Sequence, residues 1–336
     1  MTAGSGKRLY LLALLPFLVL AGMFEIVPVI TIVVQSFLSS DGGGFTLANY
    51  GRIFSKQLYR SAIINSLWIA AAAALVGIVA AFFGARAAYN SNGKARRIFM
   101  GILNMVSNFS GVPLAFAYII MLGNTGILTL IGQRYGIGFL AEFPLYSTVG
   151  LMITYIYFEI PLAILLLVPA FNKIKPEWKD AVGLLGGSSF TFWTSVGIPA
   201  LLPSILSTFS TLFANAIAAY ATAYALVMNN VSILPIRISE QYSGDVVQNP
   251  QLGGALAVIL MLLMILSIVC NQKIADGGLK SPAVICQALI EKKIAYFLAH
   301  FKKAQNTHLS PVDLLFSKCS DDYSRAGRRS CRGPDH

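Results

Sequence analysis

Six long apolar runs constrain this chain more than any other feature. They lie at roughly 9–37, 62–89, 98–122, 147–171, 199–228 and 253–272. Crossing the hydrocarbon core of a bilayer takes about 20 mostly apolar residues, and each run supplies them. Backbone N–H and C=O groups in hydrocarbon must be satisfied within the chain, so the runs read as helices. Composition agrees, because 12% of the residues are charged against about 25% in a soluble globular chain. The predicted fold is an all-α membrane protein with six transmembrane helices. The first run is too long for a signal peptide and lacks a small-residue cleavage site, so it is expected to stay as a helix.

The net charge of +11 would suit a nucleic-acid partner only if it were clustered. It is not. From Lys273 onward there are 11 Lys and Arg against 6 Asp and Glu, and the other cations are scattered between the apolar runs. Scattered cations flanking spans report topology. An even number of spans puts both termini on one side. With a cytoplasmic N-terminus, the short inner segments hold Lys7, Arg8, Arg86, Lys94, Arg96, Arg97, Lys173, Lys175 and Lys179. The outer segments hold Arg52, Lys56, Arg60, Arg134 and Arg237. That bias predicts cytoplasmic termini and a lipid bilayer, not a nucleic acid, as the surrounding partner.

The cysteines (Cys270, Cys286, Cys319 and Cys331) form no CxxC pair, and the histidines (His300, His308 and His336) all lie in the tail. No metal site is expected. The tail stretch 283–303 has helical periodicity with Lys292, Lys293, Lys302 and Lys303. It reads either as a basic helix lying on an anionic leaflet or as a weakly ordered extension.

The longest polar-bearing inner loop, 172–198, reads NKIKPEWKDAVGLLGGSSFTFWTSVGI and is followed by Pro199. Pro176 suits the first turn of a short helix. Glu177 and Asp180 fall near its N-terminus, where negative charge is favoured. Gly186-Gly187 permits a positive φ and ends the helix. Ser188 and Ser189 can cap the next one. Phe190, Phe192 and Trp193 bring apolar bulk facing lipid or a partner, and Pro199 is expected to start the fifth span. The product is a helix–turn–helix on the cytoplasmic face.

This loop resembles that of permeases from binding-protein-dependent ATP-binding-cassette importers. Their pattern is Glu-Ala-Ala, three residues, Gly, nine residues, Ile-x-Leu-Pro. Here Asp180-Ala181-Val182, Gly186 and Val196-Gly197-Ile198-Pro199 stand at those spacings. The segments FANAIAAYATAYAL, YFEIPLAILLLVPAF and GFTLANYGRIF are similar to the polyamine, iron, thiamine and phosphonate group of such permeases, with spermidine/putrescine permeases foremost. The resemblance covers about 10–272. It implies a type I importer permease fold with a cytoplasmic coupling helix between spans four and five. Trp178, Asp180, Ala181, Gly186, Gly187, Val196, Ile198 and Pro199 would then meet an ATPase subunit carrying ATP and Mg. It also implies a second permease subunit, an external solute-binding protein and a place in the cytoplasmic (inner) membrane. The chain would divide into 1–60 (N-terminus, first span, outer loop), a core at 61–272 and a tail at 273–336.

The chain has no catalytic constellation and no cofactor site of its own. Gly4-Ser5-Gly6-Lys7 imitates the end of a P-loop, but Met1 and Arg8 occupy positions where the fingerprint needs Gly and Ser or Thr. Ionisable residues inside spans are functional candidates by default. Glu25 in FEIVP and Glu159 in YFEIP are two such acids. Glu159 is either a ligand for a cationic solute or a protonated or hydrogen-bonded glutamate between helices, and Glu25 is either a second such ligand or a residue that Pro28 places near the outer interface. Asn215 can bond across helices, while Tyr220 and Tyr224 share a helix face and could present π surfaces to a cation. The competing reading is an ion-coupled secondary transporter that uses Glu159 or Glu25 and needs no ATPase.

Overall fold

The computed structural model describes residues 14–39, 44–91, 93–243 and 248–277. The tail beyond 277 and the Gly4–Lys7 segment lie outside them. Six helices are long and apolar enough to cross a membrane: Leu14–Ser36, Gln57–Asn90, Val112–Tyr135, Thr148–Phe171, Ser189–Ala218 and Pro250–Lys273. Leu14–Ser36 is α1, with a π turn at Gly22–Ile26. Then come α2 (Ala48–Ser55), α3 (Gln57–Asn90) and α4 (Gly93–Ser107). The third span is built from α5 (Val112–Leu122) and α6 (Ile127–Tyr135), with α7 (Gly138–Ala141) after it. Next are α8 (Thr148–Phe171), α9 (Pro176–Leu184) and α10 (Ser189–Ala218), the last with a π turn at Trp193–Gly197. The order ends with α11 (Tyr220–Val227), α12 (Leu234–Tyr242) and α13 (Pro250–Gly277). The only extended pairing among the described residues is one bridge between Leu38 and Phe45.

Small residues place α3 at the centre. At 34 residues it is about 51 Å long, well over the thickness of the hydrocarbon core. Its buried stripe is Ala70, Ala73, Ala74, Gly77, Ala81, Ala85 and Ala88. In lipid, no hydrophobic force separates a helix neighbour from a lipid tail, so close packing of small residues drives association. The stripe seats α8 tightly: a Cβ at Gly84 would stand 2.6 Å from Ile164 Cδ1. α10 packs on the same pair, and α13 packs on α10 and α1. α1 fully buries only Ser36, half-buries Ile32 and Gln35, and leaves most of its other side chains exposed.

Two boundaries depart from the apolar runs. The run 98–122 is not one span. It breaks between Ser107 and Val112, with Gly111 at φ +76°, and the third membrane-length helix is Val112–Tyr135. Averaged hydropathy runs straight across such a break, because a turn of Gly and Pro need not be polar. The run 199–228 breaks as well, at Ala219. Pro199 does not begin span five, because the helix already starts at Ser189 and passes through the π turn. A proline one residue past a π turn sits where its missing N–H breaks little.

The two breaks meet. The Gly111 N–H donates to Thr222 Oγ1 at 2.9 Å, and the Thr222 hydroxyl donates to the Gly111 carbonyl at 3.3 Å. The Tyr155 hydroxyl donates to the Ala219 carbonyl at 2.6 Å. Interrupted backbone at membrane depth is thus satisfied by neighbouring side chains. Tyr155→Phe is expected to cost about 1–2 kcal/mol of stability, since it leaves a buried carbonyl unpaired. Denaturation in mixed SDS micelles measures it.

Candidate functional site: a protruding loop and a polar face

Proline supplies the start of α9 and glycine its end. Pro176 occupies the first turn and Glu177 the same turn. Gly186 takes φ +75°, and the N–H of Gly187 returns to the Val182 carbonyl at 2.9 Å. Ser188 Oγ then accepts the Thr191 N–H at 3.2 Å and caps α10. A Cβ at Gly186 would meet nothing within 4 Å, so the demand for glycine is conformational alone. Gly186→Val is expected to cost about 1–2 kcal/mol through the positive φ, read from the same unfolding assay.

The fold divides the residues that the loop pattern singled out. Trp178, Ala181 and Gly187 are half-buried, whereas Asp180 and Gly186 are exposed at the tip. Val196, Ile198 and Pro199 are not at the tip, because they lie in the π turn and the helix that continues from it. Of the aromatics, Phe190 is outward at 77% exposure, but Phe192 is buried at 3%. Sequence reasoning passed over Leu184 and Leu185. Leu184 is 90% exposed and Leu185 is exposed beside it. Two adjacent leucines between Gly183 and Gly186, at the turn of the loop, were the available signal. Leu184, Leu185 and Phe190 give the loop an apolar tip.

The second group lies deeper. Glu159 on α8 is 0% exposed within the subunit. Its Oε1 accepts a hydrogen bond from Asn215 Nδ2 at 3.0 Å, and Oε2 has no partner. Gly77 makes room, since a Cβ there would come within 3.4 Å of Glu159 Cβ. Asn215 is exposed on α10, so its carboxamide has one side toward Glu159 and one toward the outer face. Thr211, Ala218 and Ala221 are exposed on that face. Tyr220 and Tyr224 stack at 5.4 Å and 24°, and Ser239 donates to the Tyr220 hydroxyl at 3.0 Å. Tyr224 is 48% exposed. Glu159 and Asn215 therefore form a pair, with Glu159 behind the face and not on it, while the stacked tyrosines follow on α11 beyond the break at Ala219. Glu25 stands apart, exposed in the π turn of α1, with no hydrogen bond or ion pair among the described residues.

Comparison with known proteins agrees with this architecture. The chain is similar to the thiamine transport system permease protein ThiP of Escherichia coli (strain K12), 24% identical over 63% of this chain. That match spans 39% of ThiP. It is 24% identical to the trehalose transport system permease protein SugB of Mycobacterium tuberculosis (strain CDC 1551 / Oshkosh), over 71% of this chain and 82% of SugB. It is 22% identical to the spermidine/putrescine transport system permease protein PotC of Escherichia coli (strain K12), over 76% of this chain and 90% of PotC. A solved bacterial alginate ABC transporter, in complex with a periplasmic protein bound to an alginate pentasaccharide, shares the fold. Its TM-score is 0.63 at 16% identity, covering 82% of this chain and 97% of that one. Residues 73–280 match the family described as the binding-protein-dependent transport system inner membrane component, and the chain belongs to it.

Proposed function

We propose that this chain is a permease subunit of an ATP-binding-cassette importer in the cytoplasmic membrane, with both termini on the inner side. The observation that carries this is the α9 loop. It projects an apolar tip of Leu184, Leu185 and Phe190 from the junction of two spans. An exposed apolar knob at a tight helix–turn–helix is suited to a groove in a partner. Here the partner is the ATPase subunit, which carries ATP and Mg, and α9 is the coupling helix. A second permease subunit covers the polar face of α10, so that Asn215 and Tyr224 line a path between the two. An external solute-binding protein delivers the solute. ATP favours the closed ATPase pair, and that differential affinity drives the path from inward-facing to outward-facing.

A polyamine is the solute to test first. Asn215 gives its NH2 to Glu159, which leaves its carbonyl oxygen without a hydrogen-bond partner among the described residues and available to the path. That carbonyl and the stacked tyrosines offer an acceptor and π faces to an ammonium group. The deciding experiment is uptake of labelled spermidine into proteoliposomes containing the permease pair and the ATPase, with thiamine and trehalose alongside. Uptake that needs enclosed Mg-ATP supports the reading. Uptake that proceeds without the ATPase, driven by an ion gradient, establishes a secondary transporter instead.

A further inference from the structure

The inner ends of three spans meet on one indole. Trp193 opens the π turn by which the loop re-enters the membrane. Phe82 of α3 and Phe192 approach its ring edge-on at 5.7 and 5.4 Å. Phe171, the last residue of α8, lies 6.0 Å away. Arg86, one turn beyond Phe82 on α3, holds its guanidinium 4.8 Å from the ring centroid. Gly197 completes the fit, because a Cβ there would stand 2.6 Å from Trp193 Cε3. The indole therefore lies against bare backbone.

Arg86 is half-buried, and it forms no ion pair among the described residues. An arginine near a span's inner end ordinarily stretches toward the headgroups. This one is held over an aromatic ring, where the π quadrupole stands in for the missing carboxylate. The outgoing arm of the loop is tied to the body by Tyr89, whose hydroxyl donates to the Ile174 carbonyl at 3.2 Å, and by Arg96, which donates to Asn172 Oδ1 at 3.1 Å. Trp178 and Val182 of α9 pack against the main apolar core, and at Gly187 the space for a Cβ is closed by Val182 Cγ1 at 2.6 Å and Thr191 Cγ2 at 3.6 Å, which brings α9 against the first turn of α10. A push on α9 is thus delivered to the first turn of α10, which holds Phe192, and from there to Trp193, Arg86 and Phe82 on α3.

We propose that Trp193 and Arg86 are positioning residues that carry movement of the loop into α3, a span the loop does not itself join. This rests on the importer reading under Proposed function. The hinge in this proposal is the π turn, a form that recurs at functional sites inside α-helices. Tightening that turn toward α-helix shifts the residues at its start relative to the rest of α10, which stays packed on α3 and α8. That shift moves the indole against Arg86, so α3 feels the state of the ATPase.

The test uses the complete importer in nanodiscs, with this subunit alone labelled with 5-fluorotryptophan. The chain has three tryptophans, Trp68, Trp178 and Trp193, and Trp193→Phe assigns the third fluorine resonance. Mg-ATP with vanadate is expected to shift the Trp193 resonance, and Arg86→Gln to abolish that shift. Arg86→Gln is also expected to lower the stimulation of ATP hydrolysis by the loaded solute-binding protein by about fivefold or more, the low end of ordinary coupling energies. The ATPase stays bound, and Arg86→Lys recovers part of the loss. The proposal is overturned if the wild-type resonance ignores Mg-ATP, or if Arg86→Gln keeps full stimulation. It is equally overturned if the variant sheds the ATPase and melts early, because the contact is then only structural. A wild-type permease that retains no ATPase overturns the importer reading first, and this proposal with it.

Discussion

Replacing Leu184 and Phe190 together with aspartate is expected to strip the ATPase from the purified permease while leaving the permease folded. Both side chains are among the most exposed apolar groups of the chain, at 90% and 77%. Neither helps hold the subunit together, so its unfolding curve should stay within about 0.5 kcal/mol of wild type, as for surface substitutions generally. In the complex, each would be buried in the partner's groove, and full burial of a Leu or Phe side chain stabilises by about 1.5–3 kcal/mol. Losing both and adding two charges removes about 3–6 kcal/mol, a weakening of at least a hundredfold. Co-purification in detergent reads this directly, with Asp180→Lys as a milder comparison. Retention of the ATPase by the double variant would place docking elsewhere and leave the apolar tip without a role.

The second large effect concerns the buried pair beneath the polar face. Asn215→Leu is expected to destabilise the subunit by about 2–3 kcal/mol, because Glu159 then has both oxygens unpaired in the interior. Glu159→Leu is expected to be neutral or stabilising. Asn215 is exposed and keeps access to other partners when Glu159 alone is replaced, so the cost of the buried carboxyl is removed without leaving a buried group unpaired. The double variant should therefore recover what Asn215→Leu lost, giving a coupling of about 1–3 kcal/mol in the cycle. Transport should behave oppositely. Glu159→Leu frees the Asn215 carboxamide to rotate, so uptake falls even though the fold is firmer. An additive cycle would mean that the 3.0 Å bond carries no energy.

These two sites were legible to different degrees. The loop could be read in outline because its devices are local. Pro176 at a first turn, Gly186 at a positive φ and Ser188 as a cap act on their own backbone or on residues a few positions away. The exposure of its tip was not legible, since Phe190 and Phe192 differ by two positions and yet one faces out and the other in. The intramembrane acids were visible as candidates because a charge in an apolar run is conspicuous. Their surroundings were not. Glu159 and Asn215 are 56 positions apart, and only the packing of α8 against α10 makes them a pair. Glu25 shows the converse, since a similar local setting on α1 has found no partner within the described residues.

What the sequence by itself determined is the solvent in which the chain folds and the number of times it crosses. Six runs of sufficient length leave hydrocarbon as the surrounding medium, and hydrocarbon leaves the helix as the spanning form. Local chemistry added the loop between spans four and five. Only the tertiary structure decided where spans three and five break and what satisfies the freed backbone. Gly111 is answered by Thr222 and Ala219 by Tyr155, each from a distant part of the chain. The reason is one of range. Hydropathy and capping act over a few residues, whereas a broken helix in lipid is permitted only when another helix arrives with the missing hydrogen bond.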